Sequence, residues 1–421
     1  MATHMQPVRG THDILPDDSR RFRKITETFR AVAERYGLSE ISTPIFEFTD
    51  VFKRTLGDTT DVVTKEMYSF EDRSGDMITL RPEYTAGIAR AFISGGMQQN
   101  LPCKFFAWGP MFRHERPQKG RLRQFHQLDV EILGAPEPTA DVEVLALAYD
   151  LLTELGLGDK VTLEINSLGD AESRAAYRDA LVDYFSVHKD KLSPESLDRL
   201  TRNPLRILDS KDEGDKAIVA NAPVMTDSLN EESAAFFDKV CEGLTALGIP
   251  YTLNARLVRG LDYYTHTAFE FTTDALGAQG TVLAGGRYDG LIKQLGGPPT
   301  PGIGWASGIE RLAMLIGDGD PAPRPIAIVP LGEEAEARAL PLCHQLRRAG
   351  FVVDMAYRGN MGKRMKRANK ISARAAVILG EDELARDAVT VRDLDSGEQT
   401  EVAIADLPEE LGIFGGGRPT Q

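Results

Sequence analysis

The stretch from Cys103 to Gly134, CKFFAWGPMFRHERPQKGRLRQFHQLDVEILG, predicts two strands joined by a long basic loop. Residues alternate along its second strand, because side chains in a strand point to opposite faces in turn. One face is mostly apolar, and the other carries an amide and two carboxylates, at Gln127, Asp129 and Glu131. A polar strand face between apolar runs is either exposed to solvent or the floor of a site.

The loop and the end of the first strand are rich in cations. Arg113 ends the first strand, within the tetrapeptide FRHE, and the loop adds Arg116, Lys119, Arg121 and Arg123. Guanidinium groups present paired donors that match carboxylate and phosphate oxygens. The sequence therefore predicts an anion site at the edge of the polar strand face.

Composition places the chain among globular proteins of more than one domain. Its length of 421 residues exceeds that of one ordinary domain. Its 42% apolar and 27% charged residues are typical of a globular protein. We predict no membrane span and no export, because no apolar run approaches about 18 residues and the N-terminus lacks a signal core. The net charge of -14 disfavours a generally basic nucleic-acid binder, although phosphate contacts need only local cations.

The three cysteines, Cys103, Cys241 and Cys343, lie far apart and form no CxxC pair. This spacing predicts reduced thiols in a cytosolic protein. The seven histidines are scattered without an HExxH motif, so we predict no zinc site. A nucleophile-elbow Gly-x-Ser-x-Gly is also absent from the sequence.

The chain divides into segments of different character. A helix from Asp17 to Tyr36 precedes a strand predicted from Glu40 to Phe48, and residues 170–247 are charged and helix-prone, which predicts a helical insertion. Strands resume at Tyr251 to Val258. The sequence DGDPAPRP, residues 318–325, predicts a linker, and the pattern beyond it predicts a βαβαβ domain with a parallel core.

Two short peptides place polar groups where a ligand could meet them. In RPEYT, residues 81–85, a carboxylate at Glu83 and a hydroxyl at Thr85 lie at a strand-to-helix junction and could meet an ammonium group. A simple helix N-cap explains them equally well. In RGLDYYT, residues 259–265, polar side chains cluster around Gly260, which permits a tight turn. An aromatic turn packed on the sheet is the alternative.

Two further patterns concern anions. The glycines at 302, 304 and 308 have the spacing GxGxxxG, one residue longer than a dinucleotide fingerprint, so we predict a strand packed closely on a helix from Ile309. Arg311 in the first turn is unfavourable to the helix dipole, which indicates an anionic partner.

One predicted helix face is basic and carries Lys363, Arg367, Lys370 and Arg374. This face is either solvated or a contact with RNA phosphates.

The stretch from 103 to 134 resembles the second motif of class II aminoacyl-tRNA synthetases, in its histidyl-tRNA synthetase form, because it contains FRHE, a basic loop and then QFHQ. RGLDYY resembles the peptide specific to that family, and GIER resembles the third class motif. The first helix and the strand with Pro44 resemble the first motif, which builds the dimer interface. RPEYT departs from the usual Arg-Pro-Glu-Gly-Thr at Tyr84. The resemblance covers nearly the whole chain.

The resemblance implies an α+β fold: a class II catalytic domain on an antiparallel sheet, residues 1–320, with a helical insertion at 170–247. It also implies an α/β anticodon-binding domain at 325–421. The expected protein is a cytoplasmic homodimer that ligates L-histidine to its tRNA through histidyl-adenylate, with ATP as substrate. Mg²⁺ is expected to arrive on ATP, without a metal site on the chain.

The class pattern also implies roles for individual residues. Arg113 and Arg259 flank the α-phosphate, and Arg311 holds the γ-phosphate. Glu115 and Phe125 contact adenine. The amino group of histidine is assigned to Glu83, Thr85 and Gln127, and the imidazole to Glu131, Tyr263 and Tyr264. The expected tRNA contacts are Arg116, Gln118, Lys363, Arg367 and Lys370.

Two alternatives stay open from the sequence. One is the non-enzymatic regulatory paralogue that senses histidine for ATP phosphoribosyltransferase, which as a family tends to lose the histidine-specific peptide and the C-terminal domain. The other is a synthetase for another amino acid of the same subclass, against which the peptide at 259–264 argues.

Overall fold

The structure is a computed structural model that describes residues 5–57, 60, 62–118, 120–208, 210–258 and 263–415, without the side chains of residues 278 and 279. The chain forms two compact units, Met1–Asp320 and Pro321–Gln421. Within the described ranges, no helix is long and apolar enough to cross a lipid bilayer.

The centre of the first unit is a sheet with eight strands in the described residues. From edge to edge these are β1 (Ser39–Glu40), β5 (Cys103–Phe112), β6 (Gln124–Leu133), β11 (Gly302–Gly308), β10 (Thr281–Arg287), β9 (Thr265–Thr272), β7 (Thr162–Ser167) and β8 (Thr252–Leu253). The six inner strands pair antiparallel, and the two short edge strands pair in parallel. The predicted antiparallel sheet is confirmed.

Helices cover both faces of this sheet. The helices of the first unit are α1 (Pro16–Arg35), α2 (Thr49–Leu56), α3 (Thr85–Ser94), α4 (Pro138–Glu154), α5 (Ala171–Val187), α6 (Pro194–Arg202), α7 (Glu213–Val219), α8 (Glu231–Ala246), α9 (Leu291–Gln294) and α10 (Ile309–Leu315). Proline at the first position and Asp17 and Asp18 in the first turn favour the start of α1. Its buried residues Ile25, Phe29 and Val32 recur at helical spacing.

The two faces of β6 differ as the alternation predicts. Leu128, Val130 and Ile132 are at most 1% exposed and join an apolar core built with α1, α4 and α8. The opposite face carries the polar residues of the same strand. Because side chains alternate between the two faces of a strand, the pairing register that buries the apolar residues of β6 places its polar residues on the opposite face.

The predicted strand from Glu40 to Phe48 is wrong as a single element. It divides at Pro44 into β1 of the large sheet and β2 (Phe46–Phe48) of a small sheet, which also holds β4 (Met77–Leu80) and β3 (Tyr68–Glu71). Proline has no N–H to donate, so it interrupts a ladder. The small sheet exposes aromatic side chains, with Phe46 56% and Phe48 60% accessible.

Residues 170–247 are helical, as their composition predicts. Helices α5 to α7 contribute to a separate apolar cluster that includes Tyr177, Leu181 and Phe185. Helix α8 instead places Phe237 and Val240 in the main core. The strand predicted from Tyr251 to Val258 is wrong in length, because only β8 forms there.

The second unit is the predicted domain with a parallel core. Its sheet has the order β13 (Val353–Met355), β12 (Ile326–Pro330), β14 (Ala375–Leu379), β15 (Ala388–Asp393) and β16 (Gln399–Ala403). Strand β12 is parallel to both neighbours, and β15 and β16 form an antiparallel hairpin. The helices are α11 (Glu333–Arg348), α12 (Met361–Lys370), α13 (Glu381–Leu384) and α14 (Leu407–Leu411).

The basic face predicted for the second of these helices is shorter than expected. Helix α12 ends at Lys370, so Arg374 lies beyond it and pairs with Asp393 and Asp395. Arg374 is therefore part of a local ion-pair group and not of a helix face. Lys363 and Lys370 remain exposed on α12.

A buried ion pair ties β10 to α4. The side chains of Arg287 and Asp141 are both 0% exposed. Arg287 Nε donates to Asp141 Oδ2 at 3.0 Å, and its Nη1 donates to the Ala135 carbonyl at 3.0 Å and to Asp289 at 3.1 Å. The guanidinium thus receives partners on several sides, as a buried charge requires.

We expect Arg287→Met to destabilise the first unit by about 3–5 kcal/mol, because it leaves the Asp141 charge buried and unpaired. Urea unfolding followed by tryptophan fluorescence measures this, since both tryptophans of the chain, Trp108 and Trp305, lie in the first unit. The double variant Arg287→Met/Asp141→Leu should recover much of the loss. A double variant as unstable as the single one would contradict the explanation.

Candidate active site

The polar face of β6 contributes Gln127 to the wall of a cavity, next to the small residues Gly304, Ala306 and Gly308 of β11. Gly109 of β5 and Gly308 of β11 lie opposite Gln127, and Gly304 of β11 lies opposite Glu131. The space at Gly308 is open, whereas Tyr84 fills the space beside Gly109 and the Glu131 carboxyl fills that beside Gly304. Gln127 therefore lines the cavity, while Asp129 and Glu131 are each 1% exposed and are not among its walls.

The cavity has a volume of about 590 Å³ and collects most of the predicted site residues. Its walls include Glu83, Thr85, Arg113, Glu115, Phe125, Gln127, Tyr263, Tyr264 and Arg311. Residues from four separate sequence segments thus converge on one site. Three residues distant in sequence from those segments, Lys211, Glu270 and Tyr288, also line it.

Some predicted residues lie elsewhere. Arg116 and Gln118 are exposed and are not among the cavity walls, and Arg259 lies outside the described residues. Lys363, Arg367 and Lys370 belong to the second unit. Arg367 is already paired, because its Nε and Nη2 donate to Asp354 at 2.9 and 2.8 Å.

Arg113 is held at the cavity by its neighbours. Its Nε donates to the Pro82 carbonyl at 2.9 Å, and its guanidinium lies 5.5 Å from the centre of the Phe125 ring. Glu115, two residues on, accepts a hydrogen bond from Arg121 at 3.0 Å. The backbone contact orients Arg113, while its charge remains available to an anion.

Arg311 belongs to the same group of cations. Its Nε donates to the Gly120 carbonyl at 3.3 Å, which joins α10 to the basic loop. Burial lowers the pKa of Arg311, and the charges of Arg121 and Arg113 lower it further. Because these guanidinium groups repel one another, an anionic ligand between them would be stabilised.

Buried carboxyl groups lie just before α3, at Glu83, and on β6, at Glu131. Glu83 accepts the Ala86 N–H at 2.9 Å, so it does help to cap α3, and it also faces the cavity. Burial raises the pKa of Glu83 and raises that of Glu131 to about 8, while hydrogen bonds with Thr85 oppose both shifts. Tyr288 donates its hydroxyl to Glu131.

Gln127 points to a ligand with a donor group. Its amide oxygen is buried and accepts no hydrogen bond from any residue that the structure describes. An unsatisfied buried acceptor is costly, so such a group in a cavity is suited to an N–H or ammonium of a bound molecule. Its position beside Glu83 in the same cavity agrees with that interpretation.

Tyr84, where the family pattern has glycine, is fully accommodated. Its backbone has φ -93° and ψ -36°, which any residue adopts, so glycine is not required. Its hydroxyl donates to the Trp108 carbonyl at 2.7 Å, and the Arg81 guanidinium lies 4.2 Å from its ring centre. The ring occupies the space next to Gly109, where a Cβ would lie 2.7 Å from the Tyr84 hydroxyl oxygen.

The residues that sequence reasoning missed depend on tertiary placement. Lys211 comes from the helical segment, and Glu270 and Tyr288 reach the cavity from β9 and the end of β10. Glu310 could have been found, because it adjoins Arg311. It accepts the backbone N–H of His126 at 3.0 Å and so joins α10 to β6.

An antiparallel sheet with this polar strand face, a basic loop after its second strand and an arginine in the helix after its last strand defines a class II aminoacyl-tRNA synthetase. Comparison with known proteins narrows the class. The family model described as histidyl-tRNA synthetase matches residues 10–312, and the anticodon binding domain model matches residues 325–412. The chain belongs to the histidyl-tRNA synthetase family.

Similar proteins span the whole chain. A histidine–tRNA ligase of Rhodospirillum rubrum is 66% identical over 97% of this chain and 99% of its own length. One of Gluconacetobacter diazotrophicus is 55% identical over 98% and 99%. The crystal structure of apo S. aureus histidyl-tRNA synthetase matches with a TM-score of 0.82 and 37% identity, over 96% of this chain and 99% of that one.

We expect Gly304→Ala to destabilise the first unit by about 1–3 kcal/mol through overpacking. A Cβ there would lie 1.9 Å from Glu131 Oε2 and 2.3 Å from the Val130 carbonyl oxygen. Gly308→Ala on the same strand is the matched control, since its nearest neighbour would be Arg311 Cγ at 3.8 Å. Thermal unfolding of both variants tests the difference, and equal melting temperatures would contradict it.

Proposed function

We propose that the chain ligates L-histidine to its tRNA in two steps. The carboxylate of histidine attacks the α-phosphorus of ATP, which gives histidyl-adenylate and pyrophosphate. The acyl group then passes to the 3'-terminal adenosine of the tRNA. The observation that carries this proposal is one cavity in which clustered arginines face buried carboxyls and the unpaired oxygen of Gln127.

The arginines supply the positive charge that phosphoryl chemistry needs. Displacement at phosphorus increases negative charge on the non-bridging oxygens, and preorganised cations stabilise it. We assign Arg113 to the α-phosphate and Arg311 to the γ-phosphate of ATP, with Mg²⁺ carried on the triphosphate. Arg259 is assigned to the other side of the α-phosphate by the motif alone.

The adenine ring is assigned to Phe125 and Glu115. An aromatic ring provides a stacking surface for a base, and a carboxylate accepts a hydrogen bond from an exocyclic amino group. Both residues line the cavity close to the arginines, and Arg121 holds the Glu115 carboxylate. ATP would thus lie along the end of β6 nearest the basic loop.

Histidine is assigned to residues around the start of α3 and on β6. Glu83, Thr85 and Gln127 would take its ammonium group.

The imidazole would meet Glu131 and Tyr264, with Tyr263 beside them. Glu131 is 1% exposed, and the two tyrosine rings are in contact, with centroids 4.6 Å apart. A buried site built on hydrogen bonds rejects ligands that lack the matching groups by about 10⁴ or more, because its own polar atoms are left unpaired.

The tRNA contacts are assigned in both units. Arg116 and Gln118, exposed in the loop between β5 and β6, would meet the acceptor end. Lys363, Arg367 and Lys370 of α12 would contact phosphates elsewhere on the tRNA. We assign residues 1–320 as the catalytic domain, interrupted by a helical insertion at 170–247, and 325–421 as the anticodon-binding domain.

We further propose that the chain is a homodimer that acts in the cytoplasm. The aromatic face of the small sheet, with Phe46, Phe48 and the 47% exposed Phe70, offers apolar area to a second copy. Sedimentation velocity measures the oligomeric state, and a monomer at micromolar concentration would exclude the dimer. Free thiols at Cys103, Cys241 and Cys343 agree with a reducing compartment.

The test of the function is ATP–pyrophosphate exchange without tRNA, run separately with each protein amino acid. We expect exchange with histidine alone, followed by histidylation when matching tRNA is added. Saturable histidine binding without exchange would favour the regulatory paralogue. Exchange with a different amino acid would overturn the assigned specificity and leave the fold unaffected.

Arg113→Gln tests the phosphate assignment. We expect exchange to fall about 10²–10³-fold, because a preorganised cation is lost from the transition state. Arg54→Gln, the same change at an exposed position on α2, is the control and should retain wild-type exchange. An Arg113→Gln enzyme with unimpaired exchange would contradict the assignment.

A further inference from the structure

Asp129 lies on the polar face of β6, between Gln127 and Glu131, and the described residues offer it no hydrogen-bond donor. It is 1% exposed, and the residues opposite it on the neighbouring strands are Ala107 and Ala306, whose side chains cannot hydrogen-bond. Neither carboxyl oxygen of Asp129 accepts a hydrogen bond from any residue that the structure describes. Nothing in the function proposed above uses this side chain.

The charged and titratable groups near Asp129 come from three places in the chain. Its own strand contributes Glu131, the segment leading into α3 contributes Arg81, Glu83 and Tyr84, and Tyr288 follows the end of β10. The two neighbouring strands contribute only the alanines opposite it. The nearest charges therefore comprise two carboxyls and one guanidinium.

The polar groups of the segment leading into α3 are occupied by the backbone. Arg81 Nε donates to the Pro110 carbonyl at 2.9 Å, and its Nη1 donates to the Thr43 carbonyl at 2.8 Å. Tyr84 donates its hydroxyl to the Trp108 carbonyl. An ionised Asp129 would thus be a buried carboxylate without a donor, which is strongly unfavourable.

A proton removes this cost and changes the chemistry of the group. A protonated carboxyl is itself a donor, and an acceptor lies within hydrogen-bonding reach in the carboxyl group of Glu131. Glu131 already receives the hydroxyl of Tyr288 and hydrogen-bonds with Thr85. A third donor would add to the hydrogen bonds that favour the carboxylate form of Glu131.

We propose that Asp129 keeps its proton and donates it in a hydrogen bond to Glu131, so that the Glu131 carboxylate can accept an N–H of the substrate imidazole. Asp129 is a positioning residue that acts through Glu131. The statement about imidazole rests on the proposed function, whereas the statement about the proton of Asp129 concerns the free protein.

The order of ionisation agrees with this arrangement. Burial raises the pKa of Asp129 well above its usual range, and the neighbouring charge of Glu131 raises it further. Burial raises the pKa of Glu131 to about 8, while hydrogen bonds with Thr85, Tyr288 and Asp129 lower it. As pH rises, Glu131 therefore loses its proton first, and Asp129 retains its own.

The kinetic test compares Asp129→Asn with Asp129→Leu across pH. Asparagine is a neutral donor of similar shape, so kcat/KM for histidine should keep the wild-type pH dependence. Leucine cannot donate, so the ionisation of Glu131 should move to higher pH, and KM for histidine should rise about tenfold or more at neutral pH. KM for ATP should stay unchanged in both variants.

Two kinetic outcomes would overturn the proposal. If Asp129 were ionised beside Glu131, Asp129→Asn would remove a repelling negative charge. The pKa of Glu131 would then fall, and the pH dependence of kcat/KM for histidine would shift to lower pH. A histidine KM in a folded Asp129→Leu protein equal to that of wild type would show that no donor is needed. The titrations of free histidine are common to all variants, so they cancel in the comparison.

An infrared measurement tests the proton without activity. At alkaline pH, the wild-type spectrum minus that of Asp129→Asn should contain the C=O stretch of a protonated carboxylic acid. Asp183→Asn, at an exposed position of α5, is the matched control. This variant should keep the carboxylic acid band, so the wild-type spectrum minus that of Asp183→Asn should lack it. A difference spectrum without the band would overturn the proposal, even if Asp129→Leu fails to fold.

The proposed function and the role proposed for Asp129 can be refuted independently of each other. A wild-type protein that shows the infrared band but exchanges no pyrophosphate with histidine would refute the proposed function alone. Exchange with histidine in a protein without the band would refute the role of Asp129 alone.

Discussion

The register of β6 between β5 and β11 is the constraint on which the rest of the site depends. In this register Leu128, Val130 and Ile132 enter the main core, and Gln127, Asp129 and Glu131 lie on the opposite face, from which Gln127 lines the cavity. A slip of one residue would exchange the two sets, burying charge in the core and placing apolar side chains in the cavity. Core packing and ligand chemistry are therefore fixed by the same pairing.

Arginines and carboxyl groups meet in the cavity. Arg311 lies near Arg121 and Arg113, whose charges repel it in the absence of a ligand. The carboxyl groups of Asp129 and Glu131 on β6 are buried, which favours their protonated forms. Phosphates beside the arginines and an ammonium group beside the carboxyls would stabilise both sets of groups, which is the physical basis of the proposed ligation.

Tyr84 and Asp129 are both buried close to groups assigned to histidine. Tyr84 fills space beside Gly109, where its hydroxyl reaches the Trp108 carbonyl. Asp129 stands beside Arg81 and Glu131, with alanines on either side. Because Asp129 adjoins Glu131 and Glu83, its protonation state would affect the electrostatics of the proposed histidine pocket.

The sequence by itself determined the polar and apolar faces of β6, the first helix, the parallel core of the second unit and most of the cavity residues, because periodicity and local motifs depend only on neighbours in the chain. The prediction from sequence was wrong at residues 40–48, because the chain leaves the large sheet at Pro44 and enters a second sheet. It was also wrong at Arg374, which lies beyond the end of α12. Only the tertiary structure decided that Lys211, Glu270 and Tyr288 line the cavity and that Asp129 lacks a donor. These facts depend on strand pairing and burial between residues far apart in the chain, which no local pattern contains.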